Sequence, residues 1–250
     1  MNKPFYVVLP SNASYEYFPE NKLHSYKTKI PKLPINSGSW EVGMTEIQYP
    51  ARWPNIIDGK VWIKFANGTT SEFRLHDGYY PSVDKLMSEL TKIFNNAGCK
   101  GISVYFDDLR DRSSITVSGD EVFGVTFSEN ILQVMGFEKT PGKFFTKGIF
   151  WADFASDIND GLTGLFVYTD IVERRLVGDV MVPLLRVVPG EPSRQAATFK
   201  SVSFQNVQYV PVASTHTDSV EVNIRRDDGR PIPFEKGKVS VTLHFRPVSR

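Results

Sequence analysis

Strict alternation of apolar and polar residues toward the end of the sequence is the strongest constraint on its fold. Val220, Val222 and Ile224 alternate with polar residues, and the segment 239–246 continues the same pattern. A period of two places one face of an extended strand on a core and the other face in solvent. Both segments are therefore predicted to be half-buried β-strands, and Asp228-Gly229 between them favours a chain reversal.

The same pattern predicts strands over much of the chain. Phe5, Val7 and Leu9 alternate near the start. Between Met44 and Ile47 the apolar phase slips by one residue, which predicts a β-bulge at Gly43 or Thr45. Eight strands are predicted for a β-sandwich, near residues 25–30, 40–49, 165–172, 182–188, 198–204, 207–210, 218–225 and 238–246.

The middle of the chain follows a different pattern. Apolar residues at helical spacing predict a helix from Val83 to Phe94, with Ser82 as its N-cap. A second, short helix is predicted at 128–135, where Gly136 would end it. Strands are predicted at 61–65 and 71–75, joined by an Asn67-Gly68 turn, and at 102–106, 113–117 and 122–127.

This order of elements predicts a mainly β protein in which a β-sandwich carries an inserted α+β subdomain. The sandwich would comprise 1–54 and 161–250, and the insertion would comprise 55–160. No linker separates the segments. An insertion between two strands of one sandwich is therefore more economical than two tandem domains.

Composition excludes several classes of protein. Lys and Arg total 29 and Asp and Glu total 28, so the chain lacks the basic excess of a protein that coats nucleic acid. Its 41% hydrophobic content is too high for a disordered chain. The apolar run 7–10 is too short for a signal peptide or a membrane span. We therefore expect synthesis inside the cell without a signal peptide, no specific nucleic-acid partner and no membrane partner.

The search for a catalytic or metal site is negative. Phosphate-binding, nucleophile-elbow, dinucleotide-binding and zinc-protease motifs are missing from the sequence. Four histidines, His24, His76, His216 and His244, are interpreted as surface or edge residues. Cys99 is the single cysteine, so it forms no disulfide within the chain. We predict no catalytic residue, no cofactor and no metal, although sequence does not give the separations that would test a carboxylate pair.

Aromatic residues in predicted loops are the candidates for contact with other subunits. Apolar loop residues that the chain cannot bury itself are typical of interfaces. The alternative is that they cover the ends of the sandwich. The candidates are Tyr15, Tyr17, Phe18, Trp53, Phe144, Phe145, Phe150 and Trp151.

Segments spread in order along nearly the whole chain resemble one known family. They are 5–14, 17–21, 40–50, 78–80, 134–137, 168–172, 177–179, 183–189, 237–239 and 243–246. Together they resemble the minor capsid protein of Polinton (Maverick) elements, which are large virus-like DNA transposons of eukaryotes. Each segment alone is weak, and their order and spacing carry the resemblance.

The resemblance implies a single jelly roll and a structural role in a virion. Such a penton protein forms homopentamers at the fivefold vertices of an icosahedral capsid and contacts a double-jelly-roll major capsid protein. The family has no catalytic residues to transfer to this sequence. The eight predicted strands suit a jelly roll, and a net charge of +1 suits a subunit that lies beside its own copies.

Two other functions remain as alternatives. A jelly-roll binding module would use exposed aromatic side chains, such as Trp53 or Trp151 stacked on a sugar, as lectins do, or would bind a receptor through the inserted segment. The second alternative is an enzyme. It has the least support of the functions considered, because no motif combines a nucleophile, a base and an orienting group.

Overall fold

Two units make up the chain in the computed structural model. Unit 1 comprises Met1–Trp53 and Leu162–Arg250, and unit 2 comprises Pro54–Gly161. The structure describes residues 3–31, 35, 39–138, 142–190, 199–213 and 218–248. The chain thus enters unit 1, leaves it for unit 2 and then returns to unit 1.

Most elements are strands that follow the predicted alternation. Unit 1 begins with β1 (Phe5–Pro10), β2 (Ser25–Lys29) and β3 (Trp40–Pro50). Unit 2 contains β4 (Lys60–Phe65), β5 (Thr70–Arg74), α1 (Val83–Asn96), β6 (Ile102–Asp107), β7 (Arg112–Val117), β8 (Val122–Phe127), α2 (Glu129–Met135) and β9 (Gly148–Trp151). Unit 1 resumes with β10 (Gly164–Thr169), β11 (Arg175–Val177), β12 (Val180–Val182), β13 (Leu184–Pro189), β14 (Phe199–Ser203), β15 (Val210–Pro211), β16 (Ser219–Arg225) and β17 (Ser240–Pro247).

Unit 1 contains two main antiparallel sheets. Sheet I has the order β1-β17-β3-β14, and β15 also pairs with β3. Because β14 pairs with residues 46–50 of β3 and β15 with residues 41–42, the two short strands share one edge position. Sheet II has the order β13-β10-β16-β2, and β11 and β12 form a separate hairpin.

The path of the chain between these sheets is that of a jelly roll. It runs from β1 in sheet I to β2 in sheet II and back to β3, and later from β13 in sheet II through β14 to β16 and finally β17. Two four-position antiparallel sheets connected in this way define the jelly-roll sandwich. The prediction of a mainly β jelly roll is confirmed, and unit 2 occupies the connection from β3 to β10.

The core of unit 1 lies between the two sheets. Val42 and Leu243 of sheet I and Val167 and Ile224 of sheet II are fully buried in one cluster. Tyr26 joins this core from β2, and its hydroxyl donates a hydrogen bond of 2.9 Å to the backbone oxygen of Leu9. Burial of aliphatic side chains from both inner faces is what holds such a sandwich together.

The predicted bulge is present in β3. Thr242 of β17 pairs with Glu46 and Leu243 pairs with Met44, so Thr45 is the extra residue. Its Oγ1 donates a hydrogen bond of 3.2 Å to the backbone oxygen of Thr242. Apolar residues on both sides of the bulge therefore reach the core, which explains the slip in the sequence pattern.

The predicted strand at 207–210 is wrong for most of its length. This segment crosses close over Gly43, where an added Cβ would lie 2.8 Å from the backbone oxygen of Gln208. Pairing with β3 begins only at Val210. The predicted count of eight also omitted β1, which pairs with β17 as an edge strand of sheet I.

Two other strand predictions differ at their ends. The strand predicted at 182–188 is divided at Pro183, so that β12 ends before it and β13 begins after it. Proline has no backbone N–H to donate to a ladder, which accounts for the division. The strand predicted to reach Val172 ends at Thr169, where β10 meets Val222 of β16.

Unit 2 contains the helices and hairpins that its sequence predicted. Its sheets have the orders β5-β4-β8 and β6-β7-β9. Ser82 caps α1 by accepting a hydrogen bond of 3.3 Å from the Lys85 amide, and Gly136 ends α2 with φ 82°. One face of α1, including Leu86 and Leu90, is buried in a core separate from that of unit 1.

Candidate contact surfaces

In the described part of the chain, no group of three or more His, Cys, Asp or Glu side chains suits a metal ion. His76 is exposed, His24 and His244 are half-buried in unit 1, and His216 lies outside the described residues. Burial, together with the nearby Glu121 carboxylate, raises the pKa of the Cys99 thiol above its ordinary value. Among the described residues, no helix is long and apolar enough to span a membrane.

The first predicted contact residues lie in the turns between β1 and β2. Tyr15 and Tyr17 are exposed, and Phe18 is half-buried. The Lys29 ammonium lies 3.8 Å from the centre of the Tyr17 ring, a cation–π contact. The Lys29 amide also donates a hydrogen bond of 3.0 Å to the Ser14 hydroxyl. These contacts hold the two exposed tyrosines beside the edge strand of sheet II.

Trp53 is not available for contact with another subunit. It is 4% exposed and belongs to the core of unit 1. Its ring meets Phe234 edge-on at 5.4 Å, and the Tyr49 ring lies 6.4 Å away. The alternative reading, in which aromatic side chains close the chain's own core, therefore holds for this residue.

Phe145 is also buried in its own unit. It is 8% exposed and packs against Phe137 and Phe150 at 5.1 and 5.3 Å between ring centres. Phe144 and Phe150 are half-buried, and Trp151 is exposed. Phe150 and Trp151 belong to β9, so their assignment to a loop was wrong.

Trp151 is one of two exposed aromatic residues that flank the central strand in the sheet of β6, β7 and β9. Ser114 of the central strand pairs with Tyr105 on one side and with Trp151 on the other. Both aromatic side chains are exposed, as is Ile149 on the same face of β9. The Arg110 guanidinium lies 5.3 Å from the Trp151 ring. The alternation in β6 could have identified Tyr105 as outward-facing, but only strand pairing places it beside Trp151.

The outer face of sheet I carries a second exposed surface, at β1. Tyr6 is 65% exposed and Val8 is 58% exposed. The Tyr6 ring stacks on His244 with 4.5 Å between ring centres, and His244 Nδ1 lies 2.7 Å from the Tyr209 hydroxyl. Burial, together with the nearby Arg246, lowers the pKa of His244. We call Tyr6 and Val8 the β1 patch.

A third exposed surface is the β11–β12 hairpin. Leu176 and Met181 pair across it and are 68% and 53% exposed. Gly178 occupies the turn with φ 61°, a conformation that favours glycine at this position of a two-residue hairpin. An isolated two-stranded hairpin is marginal in water, so exposed aliphatic side chains on it favour contact with another surface. We call Leu176 and Met181 the hairpin patch; neither patch was found from the sequence.

Comparison with known proteins gives matches at the level of structure only. No protein-family model and no curated protein matches the chain. The crystal structure of the mavirus penton protein is similar over 98% of this chain and 100% of its own, with 11% identity and a TM-score of 0.49. A chain of the Sputnik virophage structure, solved by cryo-electron microscopy, is similar over 98% of both chains, with 8% identity and a TM-score of 0.49.

Proposed function

We propose that this protein is a structural capsid subunit, a penton that forms pentamers at fivefold vertices, contacts a major capsid protein in the virion and has no catalytic role. The observation that carries the proposal is that the jelly roll exposes large apolar side chains on two different surfaces, the β1 patch and the hairpin patch. The resemblance to Polinton minor capsid proteins points to the same role.

Two different surfaces are what a closed ring of identical subunits requires. Around a fivefold axis each copy contacts its neighbours through heterologous interfaces, so one surface must match another rather than itself. The β1 patch lies on the outer face of sheet I. The hairpin patch lies in the connection between β10 and β13 of sheet II. A ring can therefore use both patches of every copy.

The proposal is tested by measuring the mass of the purified protein in solution and by imaging it with its major capsid partner. We expect pentamers that dissociate when Leu176→Ser and Met181→Ser are combined, because about 1.5–3 kcal/mol is lost for each large side chain that no longer becomes buried. Phe123→Ser, at an exposed site in unit 2, is the matched control and should leave the pentamer intact. A wild-type protein that stays monomeric at high concentration and adds no fivefold feature to assembled particles would refute the proposal.

A binding module is the second candidate, favoured by the exposed rings of Tyr105 and Trp151 on one face of the sheet. Two exposed aromatic rings provide stacking surfaces suited to a sugar. Binding to a glycan array that is lost in Trp151→Ala and kept in Phe123→Ala would support this function. An array without a hit would remove it.

A further inference from the structure

The β11–β12 hairpin and the outer face of sheet II enclose a groove that the proposed capsid role does not use. Its volume is about 780 Å³. Val177, Val180 and Val182 line it from the hairpin, and Phe166 and Tyr168 line it from β10. These residues make one wall of the groove apolar, and Val180 is still half exposed there.

The groove also has an excess of carboxylates. Asp170, Asp179 and Asp227 line it, and no Lys, Arg or His nitrogen of the described residues lies within 4.0 Å of these three. Two further lining carboxylates already have partners: Glu221 pairs with Lys27 at 3.1 Å, and Asp228 pairs with Arg230 at 2.5 Å.

Arg225 is the one cation among the described residues that line the groove, and it is already engaged. Arg225 donates hydrogen bonds of 3.0 Å to Asn223 Oδ1 and to the backbone oxygen of Gly229. Arg225 therefore forms no ion pair with Asp170, Asp179 or Asp227, and the one cation that acts on Asp170 from a greater distance among the described residues is Lys27.

Burial makes the charged form of the Asp170 carboxyl group less favourable. Its Oδ1 accepts a hydrogen bond of 2.9 Å from the Glu221 amide, yet burial raises the pKa of its carboxyl group above the ordinary value. A cation entering the groove would favour the charged form of this carboxylate.

We propose that this groove binds an extended peptide segment of a partner protein in which basic and apolar residues alternate. An extended chain turns successive side chains to opposite sides. Its apolar side chains would then contact Val177 and Val180, while its basic side chains reach Asp179 and Asp227. Because the bound segment is recognised by one copy of the chain, the proposal does not depend on pentamer formation.

The test measures fluorescence anisotropy of a labelled peptide of alternating lysine and valine with the full-length protein. We expect saturable binding that weakens as salt rises. Combined Asp179→Asn and Asp227→Asn should weaken it by about 3- to 10-fold, the range expected for two partly exposed ion pairs. Asp218 is exposed, lies directly before β16 and does not line the groove. Asp218→Asn is therefore the matched control and should bind the peptide like the wild type.

Two further peptides separate docking in the groove from simple charge attraction. A peptide of alternating glutamate and valine should not bind, and one of alternating lysine and serine should bind more weakly than lysine and valine. Equal binding of both lysine peptides, no binding by the wild type, or unchanged binding by the Asp179/Asp227 variant would overturn the proposal. Thermal unfolding of each variant verifies that its fold is unchanged, and pentamer formation is measured separately.

Discussion

The two units differ in how far apart in the sequence their paired strands lie. In sheet I, Phe5 of β1 pairs with Phe245 of β17, so the first and last strands lie side by side. In unit 2, β6 and β7 are joined by a short turn, and even the longer pairing joins Val61 to Phe127. Distant pairings cost more loop-closure entropy and form more slowly. The sheets of unit 1 therefore form only when both ends of the chain are present, while the sheets of unit 2 need only the segment of unit 2.

The largest expected effect follows from ending the chain at Arg230, which removes β17. Because β17 lies between β1 and β3, sheet I loses one of its two inner strands, and we expect unit 1 to unfold. Unit 2 should stay folded, since none of its strand pairs involves that segment. Hydrogen–deuterium exchange should show lost protection in unit 1 and retained protection in β4–β9.

Replacing the hairpin segment 175–182 by a short glycine–serine linker is the control for this truncation. The hairpin is a separate two-stranded sheet, so both units should keep their protection. Loss of protection throughout the truncated chain would show that the units do not fold independently.

Core substitutions give the next largest effect and compare the units directly. Leu243→Ala in unit 1 and Leu90→Ala in unit 2 each remove a fully buried side chain. Each should lower the free energy of unfolding by about 2–5 kcal/mol. Hydrogen–deuterium exchange measured in denaturant should show that each variant loses stability only in the unit that carries the substitution. An equal loss in both units from either variant would contradict the comparison.

Two glycines of unit 2 allow the cost of a left-handed backbone conformation to be compared with the cost of a steric clash. Gly136 has φ 82°, and an added Cβ would fall on the backbone oxygen of Phe154, whereas Gly68 has φ 87° and open space around it. Gly68→Ala should cost about 1–2 kcal/mol for the left-handed conformation alone. Gly136→Ala should cost about 1–3 kcal/mol more, because neighbouring backbone must shift. Denaturant melts of the two variants measure the difference, and equal losses would exclude the close contact.

The smallest expected effect is a pH dependence confined to unit 1. Burial is the main cause that lowers the pKa of His24 and of His244, and nearby cations add to it. The unfolded chain therefore binds protons first as pH falls below the ordinary value of 6.5, and unit 1 loses stability there. Thermal unfolding at pH 7.5 and pH 6 should show the loss, and His24→Gln with His244→Gln should reduce it. If the double variant lost more thermal stability than the wild type between pH 7.5 and pH 6, the two histidines would not be the cause of the pH dependence.

Local patterns predicted much of the fold. The helix capped by Ser82 and the hairpin at Asn67-Gly68 depend on residues close together in the chain. The bulge at Thr45 forms against the distant β17, but the slip in the apolar pattern that predicted it is local. Strand order did not follow from such patterns. The segment 207–210 alternates like a strand but crosses over Gly43 instead, because pairing there depends on β3, far away in sequence.

The exposure of the candidate contact residues was predicted less well than the fold. Aromatic residues in loops were the guide, and Tyr15, Tyr17 and Trp151 are indeed exposed. Trp53 and Phe145 are buried, while the exposed Tyr6, Val8, Leu176 and Met181 lie in strands. Residue type and loop position do not reveal which face of a strand another element covers.

The sequence by itself determined a mainly β chain with an α+β middle segment, since periodicity of two or of about 3.6 residues reports directly on local backbone geometry. Only the tertiary structure decided that β1 and β17 meet, that Trp53 closes a core, and that a hairpin and a sheet face enclose an acidic groove. These features depend on residues far apart in the chain, and their positions are set by how the two sheets pack and pair.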